Sequence, residues 1–371
     1  MPSIPEADLE HILTHTRGLW ETVRGQNLFV TGGTGFFGRW ILESFAFINE
    51  RLALDAHMTV LTRSPAAIAT KAPALAANPR IRFVRGDVRR LSAGRILRRL
   101  PPGHSGQFPF LIHAATESGS TLGQDDPLAM FDTILTGTRA ALDFAAASGT
   151  RRFLFTSSGA VYGPQPSNIT HLSEICPSAP DCARPASAYG EGKRAAELLC
   201  ACYHARHPAL KPVIARCFAF VGPFLPLDAH FAIGNFIRDA LRGGPIRIGG
   251  DGAPHRSYLY AADLAVWLWT LLFRGQPARA YNVGSEEDVT IQKLASTVAE
   301  CFPKHIDVEL ARHPQPGVPP SRYVPATGLA AGELGLAALI TLKEAISRTA
   351  GWHSSTNPSS GKPPAHSGTK K

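Results

Sequence analysis

The sequence predicts an α/β fold: a doubly wound parallel sheet carrying a smaller, interleaved C-terminal lobe. Three observations lead there. Short apolar runs alternate with helical or turn-rich stretches, the first run enters a glycine-rich turn and then a helix, and the alternation loosens from about residue 222. The chain has 371 residues, 44% of them hydrophobic, enough for one large core or two unequal lobes.

"IPEADLEHILTHTRGLWETV" places Leu9, Ile12, Leu13, Leu19 and Val23 at helical intervals, so residues 1–25 read as an added helical extension packed on the body. "QNLFVTGGTGFFGRWILESFAF" then runs from a strand through the glycine turn into a helix. "HMTVLTR", "IRFVRGD", "PFLIHAA" and "RRFLFTSS" are four more strand candidates, and "KPVIARCFAFVGP" supplies a sixth. Beyond it, "GPFLPLDAHF" is a proline-broken loop, "AIGNFIRDALRGG" a helix, "PIRIGGDG" a strand and turn, and "ADLAVWLWTLLFRG" a strongly apolar helix. The end, residues 354–371, is rich in Ser, Pro, Gly and Lys, a composition expected to be disordered.

Lys and Arg outnumber Asp and Glu 38 to 29, a net charge of +9. The basic residues do not interleave with aromatics, even in "RRLSAGRILRRL", so a solvated surface able to attract an anionic small molecule is expected and nucleic-acid binding is not. Six cysteines form no paired Cys-x-x-Cys units, which argues against a zinc site or a disulfide framework, and no metal is expected. No apolar stretch reaches the roughly 18 residues that would span a membrane. The opening residues lack a basic start and an apolar run, so the cytoplasm is the expected location.

The turn "TGGTGFFG", residues 31–38, places Gly32, Gly35 and Gly38 directly after the first strand. Glycines permit a tight turn and let backbone N–H groups approach a pyrophosphate seated at the positive end of the next helix. A Rossmann-type dinucleotide site follows, and residues 26–221 read as its domain. "FTSSGAVYG" follows a strand ending in the same crevice and offers the Ser158 hydroxyl to an oxygen held over the nicotinamide. In "SAYGEGKRAAE", Ser187 can cap a helix on which Tyr189 and Lys193 share one face, so that the ammonium lowers the pKa of the phenol toward a general acid/base. At the end of the second strand "VLTRSP" offers Thr62 and Arg63 where NAD-specific sites carry an acid; an arginine there suits a 2′-phosphate, which leaves NAD or NADP as the cofactor.

In series, "TGGTGFFG", "GDV", "HAA", "SSGAVYG", "YGEGK", "ARCFAFVGP", "RSYLYAADLA" and "YNVGS" make the chain, over roughly residues 26–350, resemble the extended short-chain dehydrogenase/reductases of the NAD-dependent epimerase/dehydratase branch. The resemblance implies a nucleotide-sugar substrate, a homodimer, and a substrate-binding lobe at residues 222–353. It implies that Tyr189 takes a sugar hydroxyl proton during hydride transfer, that Lys193 lowers its pKa and holds the ribose, and that Ser158 steadies the reacting oxygen. It implies a cofactor set of Gly32, Gly35, Phe36, Phe37, Gly38, Arg63, Asp87, Val88, Ala114, Ala115 and Lys193, with Asp87 and Val88 flanking the adenine. Arg256 in "RSYLY" would grip the substrate diphosphate, with Arg322 in "PSRYVP" and Asn235 as further substrate contacts.

Where the family's 4,6-dehydratases carry Asp and Glu after the catalytic hydroxyl, this chain has Gly159 and Ala160; its decarboxylases also carry a glutamate at the second position. Ala219 and Ile134 replace two of the family's asparagines. Without that carboxylate, elimination by the usual route is not expected. What remains is 4-epimerisation through a keto intermediate or, alternatively, 4-keto reduction, with dehydration or decarboxylation behind them. A non-catalytic dinucleotide-binding regulator is the reading from another class, and the Ser158, Tyr189, Lys193 set argues against it.

Overall fold

Alternation along the strands builds the two layers. In β1 (Asn27–Thr31), Leu28 and Val30 join one buried cluster while Phe29 joins another; in β4 (Phe110–His113), Phe110 and Ile112 part from Leu111 in the same way. Both sheet faces are therefore apolar, and helices cover both. The protein, seen in a computed structural model, is described for residues 3–102, 104–115, 126–229, 231–313 and 317–356.

The other sheet strands are β2 (His57–Thr62), β3 (Ile81–Arg85), β5 (Arg152–Ser158), β6 (Lys211–Cys217) and β7 (Ala280–Val283). All seven pair in parallel in the order β7-β6-β5-β4-β1-β2-β3. Strand order reverses between β1 and β4, which opens a crevice at their carboxyl ends. The first six strands fall where the apolar runs place them. β7 overlaps the first three residues of "YNVGS", and its four residues carry no strand signal of their own.

One face of the sheet is covered by α1 (Glu6–Thr16), α2 (Phe36–Arg51) and α6 (Ala261–Arg274), the other by α3 (Pro127–Ala147) and α4 (Ala188–Arg206). Asp126 caps α3 by accepting the Ala129 N–H at 2.9 Å, ahead of Pro127 in the first turn. Ser187 stands at the N-cap of α4, but its hydroxyl donates to the Asp181 carbonyl at 2.7 Å and does not cap the helix.

The later chain forms α5 (Ala232–Leu241), α7 (Ile291–Glu300) and small ladders above the crevice. In one of them His255–Arg256 lies between Val289–Thr290 and Arg322–Tyr323. The final helix α8 (Leu342–Thr356) runs three residues into the stretch expected to be disordered; residues 357–371 lie outside the described residues. The extension is tied to it: Asp8, buried, accepts from the Tyr260 hydroxyl at 2.6 Å and pairs with Arg348, and the Trp352 indole donates to the Ser3 carbonyl at 3.1 Å. Among the described residues no helix is long and apolar enough to cross a membrane.

Candidate active site

The glycine turn shows why its residues must be glycines. Gly32 has φ +76°, and a Cβ there would fall 2.3 Å from the backbone of Ala114; one on Gly38 would fall 2.3 Å from Gly33. These two let strand, turn and helix touch. Gly35 differs: a Cβ on it would meet nothing nearer than 3.8 Å, so packing does not demand glycine at this N-cap of α2, and the space beside it stays open. Such a cradle fits a dinucleotide pyrophosphate. Phe36 and Phe37 begin the helix, and Phe37 packs edge-on against Phe220 at 5.1 Å. Ala114 and Ala115 line the opposite side, their N–H groups bonded to Thr31. Just before them His113 is buried between the Thr31 and Thr138 hydroxyls at 2.7 and 3.1 Å, and burial pushes its pKa down to about 3.

Ser158, Tyr189 and Lys193 meet at the carboxyl ends of β5 and β6. Ser158 closes β5 in register with Cys217, its hydroxyl accepts the Ala160 N–H at 3.1 Å, and it stands near enough to the Tyr189 phenol to favour the ionised form. Lys193, only 2% exposed, donates to the Thr156 carbonyl at 2.7 Å and holds its ammonium 5.8 Å from the Tyr189 ring centroid. The electrostatics depart from expectation. Burial of the Tyr189 oxygen pushes its pKa up to about 12, the nearby Ser158 hydroxyl offsetting only part of that. Burial also lowers Lys193, to about 8. Desolvation outweighs the charge effect that helical spacing suggests, because both groups are removed from water.

Beneath the pair, Glu197 of α4 accepts from Ser157 at 2.6 Å and from the Arg216 guanidinium at 2.7 Å, while Arg216 also donates to the Tyr162 hydroxyl at 2.8 Å. This mesh locks α4 to β5 and β6.

At the other end of the crevice a cleft of about 340 Å³ is lined by Arg63, Arg85, Asp87, Arg90, Arg95 and Arg99. Part of "RRLSAGRILRRL", expected to be a solvated surface, thus faces a pocket at the ends of β2 and β3. The Asp87 carboxylate accepts from the Arg89 backbone and pairs with its guanidinium at 2.7 Å, which holds its pKa below the usual carboxylate range. Val88 packs against Gly137 of α3.

The three substrate candidates separate. Arg256 donates to the His255 carbonyl at 2.7 Å and pairs in register with Tyr323. Arg322 is ion-paired to Asp288, which also holds His255 at 2.6 Å. Asn235 accepts from Arg238 on its own helix at 3.1 Å. One residue beside the site escapes sequence reasoning: a Cβ on Gly159 would fall 2.7 Å from the Tyr323 hydroxyl. Its sole sequence signal is adjacency to Arg322, since the ladder that delivers it joins segments 67 residues apart.

Known proteins are similar to this chain in sequence and fold. UDP-glucuronic acid decarboxylase 1 of Arabidopsis thaliana is 28% identical over 325 residues, spanning 86% of this chain and 68% of that protein. The dTDP-glucose 4,6-dehydratase of Streptomyces venezuelae, solved with NAD bound, superposes with a TM-score of 0.72 at 26% identity over 90% of this chain and 98% of the other. The UDP-glucose 4-epimerase of Thermotoga maritima, solved with UDP-glucose, shares the fold with a TM-score of 0.72 at 20% identity over 89% and 99% of the two chains. Residues 28–284 match the NAD dependent epimerase/dehydratase family, and to that family this chain belongs.

Proposed function

We propose that the protein is an NAD(P)-dependent nucleotide-sugar epimerase working through a 4-keto intermediate. The observation that carries this reading is the meeting of Ser158, Tyr189 and Lys193 beside Gly159 and Ala160, hydride-transfer machinery with no carboxyl side chain at the two positions after Ser158. The glycine turn with Phe36 and Phe37 would hold the pyrophosphate, Ala114 and Ala115 its flank, Asp87 and Val88 the adenine, and Lys193 the ribose. The bound dinucleotide takes up hydride and returns it. Tyr189 takes the proton of the sugar hydroxyl, Ser158 fixes that oxygen, and the ammonium of Lys193 favours the phenolate.

The lobe at residues 222–353 takes the nucleotide sugar, with Arg256 toward the diphosphate. Arg322, neutralised by Asp288, is the weaker diphosphate ligand. The arginine cleft favours NADP over NAD. We read the assembly as a homodimer through α3 and α4, which pack on each other and expose Leu128 and Leu198.

Incubation with a panel of nucleotide sugars, read by mass spectrometry and NMR, tests the reading. A new isomer of unchanged mass is expected. A gain of two hydrogens makes the protein a 4-keto reductase; loss of water or carbon dioxide removes the epimerase reading.

A further inference from the structure

The cleft at the ends of β2 and β3 holds more positive charge than a dinucleotide can use. Arg63 lines it with Arg85, Arg90, Arg95 and Arg99, and among the described residues none of the latter four ion-pairs with a carboxylate. The acid in the lining, Asp87, is already paired with Arg89 at 2.7 Å. Backbone holds the guanidiniums instead: Arg99 donates to the Arg85 carbonyl, and Arg95 donates to the Arg90 carbonyl at 3.3 Å. A carbonyl orients a guanidinium but leaves its charge whole, so like charges crowd a cavity of about 340 Å³ beside the buried side chains of Leu61, Leu91 and Ile96. Charge balance decides what fits. A phosphate monoester, such as the 2′-phosphate of NADP, carries about two negative charges near neutral pH and leaves about half of these four guanidiniums unmatched. Linked phosphates carry more charge in the same width, and each adds oxygens that a planar guanidinium fork grips in pairs. Among the described residues no aromatic side chain lines the cleft, so nothing there stacks on a base.

We propose that this cleft is a binding site for a chain of linked phosphates, free or carried by a nucleoside. A bound chain relieves the repulsion among the guanidiniums and so stabilises the folded protein by mass action. The consequence for the cofactor rests on the reading above that the 2′-phosphate of NADP enters the same cleft. The chain and NADP then exclude one another, whereas NAD leaves the cleft open, so abundant linked phosphates bias loading toward NAD.

The test is calorimetric titration of the protein saturated with NAD, which fills the pyrophosphate cradle at the glycine turn, with tripolyphosphate, uridine triphosphate and inorganic phosphate at matched ionic strength. Tripolyphosphate is expected to bind at least about tenfold more tightly than inorganic phosphate, to raise the melting temperature, and to lose about tenfold in affinity in Arg85→Ala and in Arg95→Ala. Without ligand neither variant is expected to melt below the wild type, since each removes one member of a like-charged crowd. Saturation with NADP in place of NAD is expected to abolish the binding. Uridine triphosphate no tighter than tripolyphosphate identifies the free chain as the ligand; tighter binding that still falls in Arg95→Ala identifies a nucleoside carrier, and both sustain the proposal. Inorganic phosphate that binds as tightly as tripolyphosphate, no binding of tripolyphosphate, or an affinity that ignores both substitutions overturns it. Equal binding to the NADP-loaded protein, still lost in both variants, overturns the NADP reading and keeps this site.

Discussion

Tyr189 and Lys193 are titrated against their function by the burial that makes them precise. A phenol near pKa 12 beside an ammonium near 8 holds its proton at neutral pH. In the role proposed for Tyr189, proton removal would then depend on charge arriving with the ligands. Tyr189→Phe keeps the ring and removes the proton shuttle; kcat is expected to fall about a hundredfold or more, with cofactor affinity within twofold by calorimetry. His113 supplies a second expectation. Its folded pKa is near 3 against 6.5 unfolded, so below about pH 6.5 the unfolded chain binds a proton that the folded chain refuses. Stability from this group is complete above pH 6.5 and falls by about 1.4 kcal/mol per pH unit as the pH drops toward 3. Urea midpoints between pH 7 and 5 are therefore expected to fall less steeply in His113→Asn than in wild type. That Tyr189 and Lys193 share a helix face could be read from local sequence because i and i+4 fix that face. Their pKa values could not, since desolvation is set by β5, β6 and Cys217 closing around them.

At the scale of elements, the place of the glycine turn between strand and helix was legible, while the close approach of the Ala114 backbone that bars a Cβ on Gly32 comes from β4 and was not. The segment after β3 was not. Read along the chain its arginines look like surface charge, and they become a site only because β2 and β3 end side by side and bring Arg63 opposite Arg90 and Arg95. Like charges gathered in one cleft favour an anion there. Arg63→Ala and Arg90→Ala are each expected to weaken NADP about tenfold while leaving NAD within twofold, measured by calorimetric titration; equal losses would return both side chains to the solvent-facing role. Tyr323 and β7 escaped the sequence for a related reason. A two-residue and a four-residue strand have no period to display, and only partners distant in sequence give them their place.

Over the whole molecule, the stretches outside the family match close on each other. α1 lies on α6 and α2, its Asp8 is 1% exposed, and Arg348 of α8 reaches it from 340 residues away. His11 meets Asp263 at 2.8 Å, and Asp263 also accepts the N–H groups of Leu339 and Ile340 at 2.9 Å. The helical period announced α1; its partners are a property of the finished fold. Arg348→Ala leaves the Asp8 carboxyl buried without its guanidinium, and a loss of about 2 kcal/mol is expected by urea denaturation, the partial exposure of Arg348 moderating a larger buried-pair cost.

The same closure sets an order on synthesis. Asp8 of α1 leaves the ribosome 340 residues ahead of its partner Arg348, so Leu9, Ile12 and Leu13 lack their complete docking surface while the residues between are added. At roughly 5–20 residues per second that is an exposure on the order of tens of seconds. During that window the nascent chain carries an apolar helix face without its complete cover, the kind of surface on which misassembly begins.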